Sequence, residues 1–203
     1  MLLAFRGGQV GYDHGADNVT EILFYHLLHQ PLERVLPTLI EKSLERGWRV
    51  TVQAGSPERV EALDAHLWTF RDDSFLPHGD WRDPNAHEHS VLLTADDGNL
   101  NGATVRFLVD GAPMPTDAAA YERLVLIFDG EDVDAVAAAR ERWKDAKAKG
   151  FGVTYWRMDV EGRWKKSEDG AQTAEDGRPM AARQSVRQRR ATKVSPFPPG
   201  GGI

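Results

Sequence analysis

Short apolar runs alternate with stretches of helical spacing through the middle of the chain. Residues 22–25, Ile22, Leu23, Phe24 and Tyr25, suit a buried strand. Pro31 stands where a helix begins, and Leu32, Val35, Leu36, Leu39, Ile40 and Leu44 recur at helical spacing until Gly47 stops them. Pro37 falls inside that pattern and marks a kink position. Residues 48–54 (WRVTVQA) read as a second strand. Ser56 is placed as an N-cap with Pro57 at the first helical position, and Val60, Leu63 and Leu67 form the inner stripe of that helix.

A short apolar run at 91–94 sits within a polar, loop-rich stretch from 80 to 102. Strands are predicted over 104–109 and 123–128, and a loop or short helix over 112–120. A long helix is expected over 131–149, with Val133, Val136 and Ala137 facing inward and Gly150 closing it. A last main strand follows at 151–157, then an edge turn around Glu161-Gly162-Arg163-Trp164. Strand–helix–strand–helix order with these connection lengths predicts an open, mainly parallel α/β sheet with helices on both faces.

One stretch resists this simple reading. Residues 63–79 (LDAHLWTFRDDSFLPHG) carry Trp68, Phe70, Phe75, Leu76 and Pro77 between charges. Each large apolar group left in water forfeits roughly 1.5–3 kcal/mol of burial. Some of these side chains are therefore expected to fold back on the core and others to be covered by another protein.

The chain has 203 residues, enough for one well-buried domain. Residues 1–18 hold four glycines and no periodicity, and are expected to be a flexible leader; the alternative is that Val19, read from a GTG codon, marks the true start. Residues 167–203 carry six basic and four acidic residues and end PFPPGGGI, a composition expected to stay flexible. The ordered domain is expected over 19–166, with 18 basic and 25 acidic residues. That acidic body argues against direct sequence-independent DNA binding, which relies on cations to neutralise phosphates. Cysteine is absent, which excludes disulfides and thiolate metal sites and makes a reducing cytoplasm the expected setting. No run approaches the roughly 18 apolar residues of a membrane span.

Candidate chemistry is sparse. His26-Leu27-Leu28-His29-Gln30-Pro31 follows the first strand and lacks the glycines a dinucleotide loop needs. Neither a G-x-x-x-x-G-K-S/T loop nor a G-x-S-x-G elbow occurs. Asp110 and Asp129 follow predicted strands, but each precedes glycine, where turn chemistry accounts for it. The seven histidines show no third-ligand pattern for a metal. His78 is expected to hydrogen-bond within its loop. No catalytic residue, cofactor or metal is expected. On the 131–149 helix, Arg140, Trp143, Lys144 and Lys147 share a face. That face reads in two ways. It is a solvated basic stripe that complements the helix dipole, with Trp143 in the core. Alternatively it is a receptor for an acidic, apolar-ended peptide, with Arg140 holding a carboxylate.

Several segments together resemble the chi subunit of bacterial DNA polymerase III holoenzyme, from about Thr20 to Trp164. They are Phe24-Tyr25-His26-Leu27, Leu63-Asp64 with Leu67-Trp68, Ser74-Phe75-Leu76-Pro77-His78, and Ala139-Arg140-Glu141-Arg142-Trp143-Lys144 before Gly150-Phe151. The resemblance implies a Rossmann-like domain without a working nucleotide site. It implies a non-catalytic accessory role in replication, binding the acidic C-terminal tip of single-stranded DNA-binding protein and pairing with the psi subunit of the clamp loader. Nucleic acid would be met only indirectly. The implied tip-binding surface comprises Arg140, Trp143, Lys144 and Trp68, with Val136 and Phe128 beside them. Val136 stands where the best-known members have a further lysine. Phe75, Leu76, Pro77 and His78 form a second partner-binding segment of unassigned partner. Two other classes remain open at this stage: a nucleotide-dependent enzyme with an unusual loop, and a purely structural subunit.

Overall fold

The computed structural model describes residues 19–72, 75–159 and 161–166. The expected leader and tail therefore lie outside the described residues. Strand β1 (Glu21–Leu27) leads into α1 (Leu32–Leu44), β2 (Val50–Gln53) and α2 (Pro57–Leu67). Then come β3 (Gly79–Asp80), β4 (Val91–Thr94), β5 (Val105–Leu108), β6 (Arg123–Asp129), α3 (Val133–Ala148), β7 (Gly152–Met158) and β8 (Trp164–Lys166). They form one sheet in the order β3-β4-β2-β5-β6-β1-β7-β8. Every pairing is parallel except that of β7 with β8. The open α/β sheet expected from the alternation is the observed fold.

Side chains of a strand point alternately to its two faces. Leu23, Leu27, Val125 and Ile127 pack in one core cluster with Val35, Leu36 and Ile40 of α1 and Val60, Leu63 and Leu67 of α2. Ile22, Phe24, Leu124, Leu126 and Phe128 pack in the other with Ala139, Trp143 and Ala146 of α3. Both faces of β1 and β6 are thus covered, which is why these strands read as continuous apolar runs.

Local chemistry sets the helix ends. Ser56 Oγ accepts from the Arg59 N–H at 3.3 Å, with Pro57 following. Asp132 Oδ1 accepts from the backbone N–H of Asp134 at 2.9 Å and of Ala135 at 3.1 Å, so α3 starts at Val133, inside the expected range. Pro37 is buried within α1 and cannot donate to the Glu33 carbonyl. That carbonyl instead lies 2.8 Å from His66 Nε2 of α2. Arg106 is fully buried and makes no ion pair among the described residues, although its charge reaches the Asp97 carboxylate. Its guanidinium donates to Gln53 Oε1 (3.0 Å), the Tyr121 hydroxyl (2.7 Å) and the carbonyls of Gly98 (3.2 Å) and Asp96 (2.6 Å). These bonds pin the connection from β4 across β2 to β5.

Two expectations for α3 need correcting. Val133 is 80% exposed and Ala137 is also exposed, so neither faces inward. Trp143, the largest apolar side chain of the helix, sets its inward axis together with Ala139 and Ala146. At 3.6 residues per turn, Val136 falls on that axis and Ala137 well off it. The short edge strands β3 and β8 were also unforeseen, because two and three residues carry no readable period.

Candidate functional site

Alternation and register bring three side chains into one row on the α3 side of the sheet. Phe128 of β6 and Arg157 of β7 lie directly across from His26 of β1. Tyr155, two residues before Arg157, shares their face. The Tyr155 hydroxyl stands 2.7 Å from His26 Nδ1. Burial first, and then the charge of Arg157, push the His26 pKa down to about 4. The imidazole is therefore neutral near neutral pH. Burial pushes Tyr155 up to about 12, against the pull of Arg157 and Arg140. The phenol thus keeps its proton, and its hydroxyl shares one hydrogen bond with Nδ1. The ring packs against Gly130, where a Cβ would stand 1.7 Å from Nε2. A glycine after Asp129 is needed to admit His26.

Helix α3 lies over this row. Trp143 packs edge-on against Phe24 (centroids 5.1 Å apart) and Tyr155 (5.9 Å). Phe128 and Trp143 are both buried, so they make a floor. Val136 is half-buried against it. Arg140 is half-buried, while Lys144 and Lys147 are exposed. Lys144 pairs with Glu141 at 2.9 Å, and Lys147 lies over the Trp143 ring at 5.2 Å. Neither Arg140 nor Arg157 has an ion-pair partner among the described residues. The arrangement offers unspent cations over an apolar, aromatic base, chemistry suited to a carboxylate attached to an apolar group.

Trp68 is not brought to this surface. It caps the C-terminus of α2, which packs on the opposite face of the sheet. Trp68 and Arg140, named together for one binding surface, thus lie on elements that cover opposite faces of the sheet. Trp68 instead meets Phe75 at 6.0 Å and His78 at 4.9 Å. Trp68 is 58% and Phe75 72% exposed. Pro77 is exposed as well, whereas Leu76 and His78 are buried and Phe70 packs half-buried on the core. The apolar stretch thus splits as expected, part inward and part displayed. His78 Nδ1 hydrogen-bonds the Leu76 carbonyl at 2.7 Å, and its Nε2 lies 3.3 Å from Asp64 Oδ1.

A cleft of about 590 Å³ opens at the carboxyl edge of the sheet, where α/β folds commonly hold ligands. Glu33, Asp110, Asp129, Asp132 and Asp134 line it, against Arg59 and Arg142. Asp110 adopts φ 49° in its turn and pairs with Arg59 at 2.9 Å, while Glu33 takes the same guanidinium at 2.9 Å. Asp129 Oδ1 accepts from the Glu131 N–H at 2.8 Å. Turn and cap chemistry accounts for these aspartates. The excess of carboxylates opposes a phosphate in this position. Among the described residues, no group of three or more histidine or acidic side chains is placed to hold a metal.

His26, Tyr155 and Arg157 were not foreseen as site residues. Their alternation is visible in the sequence, but the register that aligns β1, β6 and β7 is not. Against this geometry, a family model described as DNA polymerase III chi subunit, HolC, matches residues 19–154. The chain is also similar to the probable DNA polymerase III subunit chi of Rickettsia prowazekii (strain Madrid E). The two are 25% identical over 115 residues, covering 52% of this chain and 67% of that protein.

Proposed function

The chain belongs to the DNA polymerase III chi subunit family, and on that premise we propose that its α3 face docks the acidic C-terminal tip of single-stranded DNA-binding protein. In this reading the protein is a non-catalytic accessory subunit of the replicative polymerase. It works in the cytoplasm and meets DNA only through the coat protein. Among the described residues no helix is long and apolar enough to cross a membrane.

The observation that carries the reading is Arg140. It is a half-buried arginine with no ion-pair partner among the described residues, one helical turn from Val136 and above the Phe128–Trp143 floor. A peptide that ends in an apolar residue after acidic ones supplies both missing complements. Lys144 and Lys147 add attraction at the rim. Tethering through such a tip raises the effective concentration of the clamp loader near coated DNA without any catalysis.

The second partner in this reading is the psi subunit, held by Trp68 and Phe75 with Leu76, Pro77 and His78 shaping their loop. Support comes from the exposure of both rings and from their separation from α3. The two partners then bind without competing for surface.

Fluorescence polarisation with a labelled tip peptide tests the reading. Wild type binds, and Arg140→Ala weakens binding about tenfold or more, because a hydrogen bond to a charged group contributes roughly 1.5–3 kcal/mol. Its melting temperature stays at the wild-type value. Wild type that ignores the peptide overturns the function. Equal affinity of the variant removes Arg140 as anchor.

A further inference from the structure

Arg157 lies beyond the residues matched by the family, three positions past their end. It nevertheless sits opposite His26 in the row that floors the α3 surface. We propose that Arg157 is a second anchoring cation of this surface, forming with Arg140 a two-guanidinium clamp for a peptide carrying two carboxylates. One is the terminal carboxylate and the other belongs to an acidic side chain nearby. The proposal rests on the reading that the α3 face receives such a peptide.

Four observations meet here. Arg157 is half-buried on the face that α3 covers. It has no ion-pair partner among the described residues, although Lys165 and Arg163 on the same hairpin are paired with Asp159 at 3.1 and 3.4 Å. Arg140 reaches the same place from the helix, since both guanidiniums act on both His26 and Tyr155. Asp129 is the carboxylate that acts on His26, and its Oδ1 is already engaged by the Glu131 N–H. Two unneutralised cations beside a neutral His26–Tyr155 pair repel one another until an anion enters between them. Val136, one turn before Arg140, is apolar and half-buried, and the strand supplies a cation from the other side of the surface. The clamp therefore distinguishes a peptide with two carboxylates from a peptide with one.

The test uses the full chain and a fluorescein-labelled tip peptide in two forms, with a free terminal carboxylate and with a terminal amide. Arg157→Gln, which keeps length and polarity, weakens the free-acid peptide about tenfold, and Arg157→Lys recovers part of the loss. Amidation then weakens binding less in one of the Arg140→Gln and Arg157→Gln variants than in wild type, which identifies the arginine that holds the terminus. An NMR titration of His26 checks the placement independently, because Arg157→Gln raises its pKa from about 4. Wild-type affinity in Arg157→Gln, with loss in Arg140→Gln, overturns the second cation and leaves the docking face standing. Unchanged affinity in both variants overturns the clamp and the docking face together. Equal sensitivity to amidation in wild type and both variants overturns the clamp as a carboxylate holder.

Discussion

Trp143 and Trp68 put the same side chain to opposite uses. Trp143 is 7% exposed and locked between Phe24, Tyr155 and the Lys147 ammonium. Trp68 stands in solvent beside Phe75, resting on a buried histidine. Around Trp143 the rings are floor and the groups free to recognise a partner are cations. Around Trp68 the rings themselves are free, and the buried residues only hold the loop. One surface suits a charged terminus, the other an apolar segment. The sheet stands between the two surfaces.

That contrast is open to measurement, and the largest effect lies on the buried side. Trp143→Ala should cost about 3–5 kcal/mol of stability in urea unfolding, because it empties a packed site. A loss below about 1 kcal/mol would show that the ring is not part of the core. On the displayed side, the pair Trp68→Ala and Phe75→Ala should weaken psi by about 2–4 kcal/mol in calorimetry while tip-peptide affinity stays within twofold. Joint loss of both partners would merge the two surfaces.

Mild acid should strike the α3 side first, through His26. His26 stays neutral in the fold down to about 4, while the unfolded chain protonates near 6.5. The unfolded state binds more protons between those values, so stability falls as pH drops from 6.5 toward 4 and the His26 contribution levels off below. There, carboxylates held below their usual range by hydrogen bonds and cations, Asp80 and Asp159 among them, continue the decline. The ring is partly open to solvent, which limits the loss to roughly 1–3 kcal/mol. Urea midpoints across this range check it, and His26→Asn should flatten the profile. Raising salt from about 0.1 to 1 M shortens the screening length from about 10 to 3 Å, and should weaken the tip peptide several-fold but barely touch psi. Smallest of all, Trp68→Ala alone should change folding stability by no more than about 0.5 kcal/mol, since little of the ring is packed.

Much of the sheet was legible because β1 and β6 are covered on both faces and read as unbroken apolar runs. The cap of α2 was equally legible, since Ser56 acts on a residue three positions away; Asp132, which caps α3, was read as part of that helix. Arg140 and Lys144 could be named because one helix fixes their mutual spacing. His26, Tyr155 and Arg157 could not, because they meet across strands far apart in the chain.

Local order, then, determined the elements, the lack of a phosphate loop and the cationic stripe, since each depends on neighbours within a few residues. Only the tertiary structure decided which stripe faces the core, that Trp143 is floor and Trp68 is surface, and that Arg157 stands opposite His26. Those outcomes depend on strand register and on which face of the sheet each helix covers. Both are settled by burying apolar area across the whole sheet at once, and no short window of sequence contains that sum.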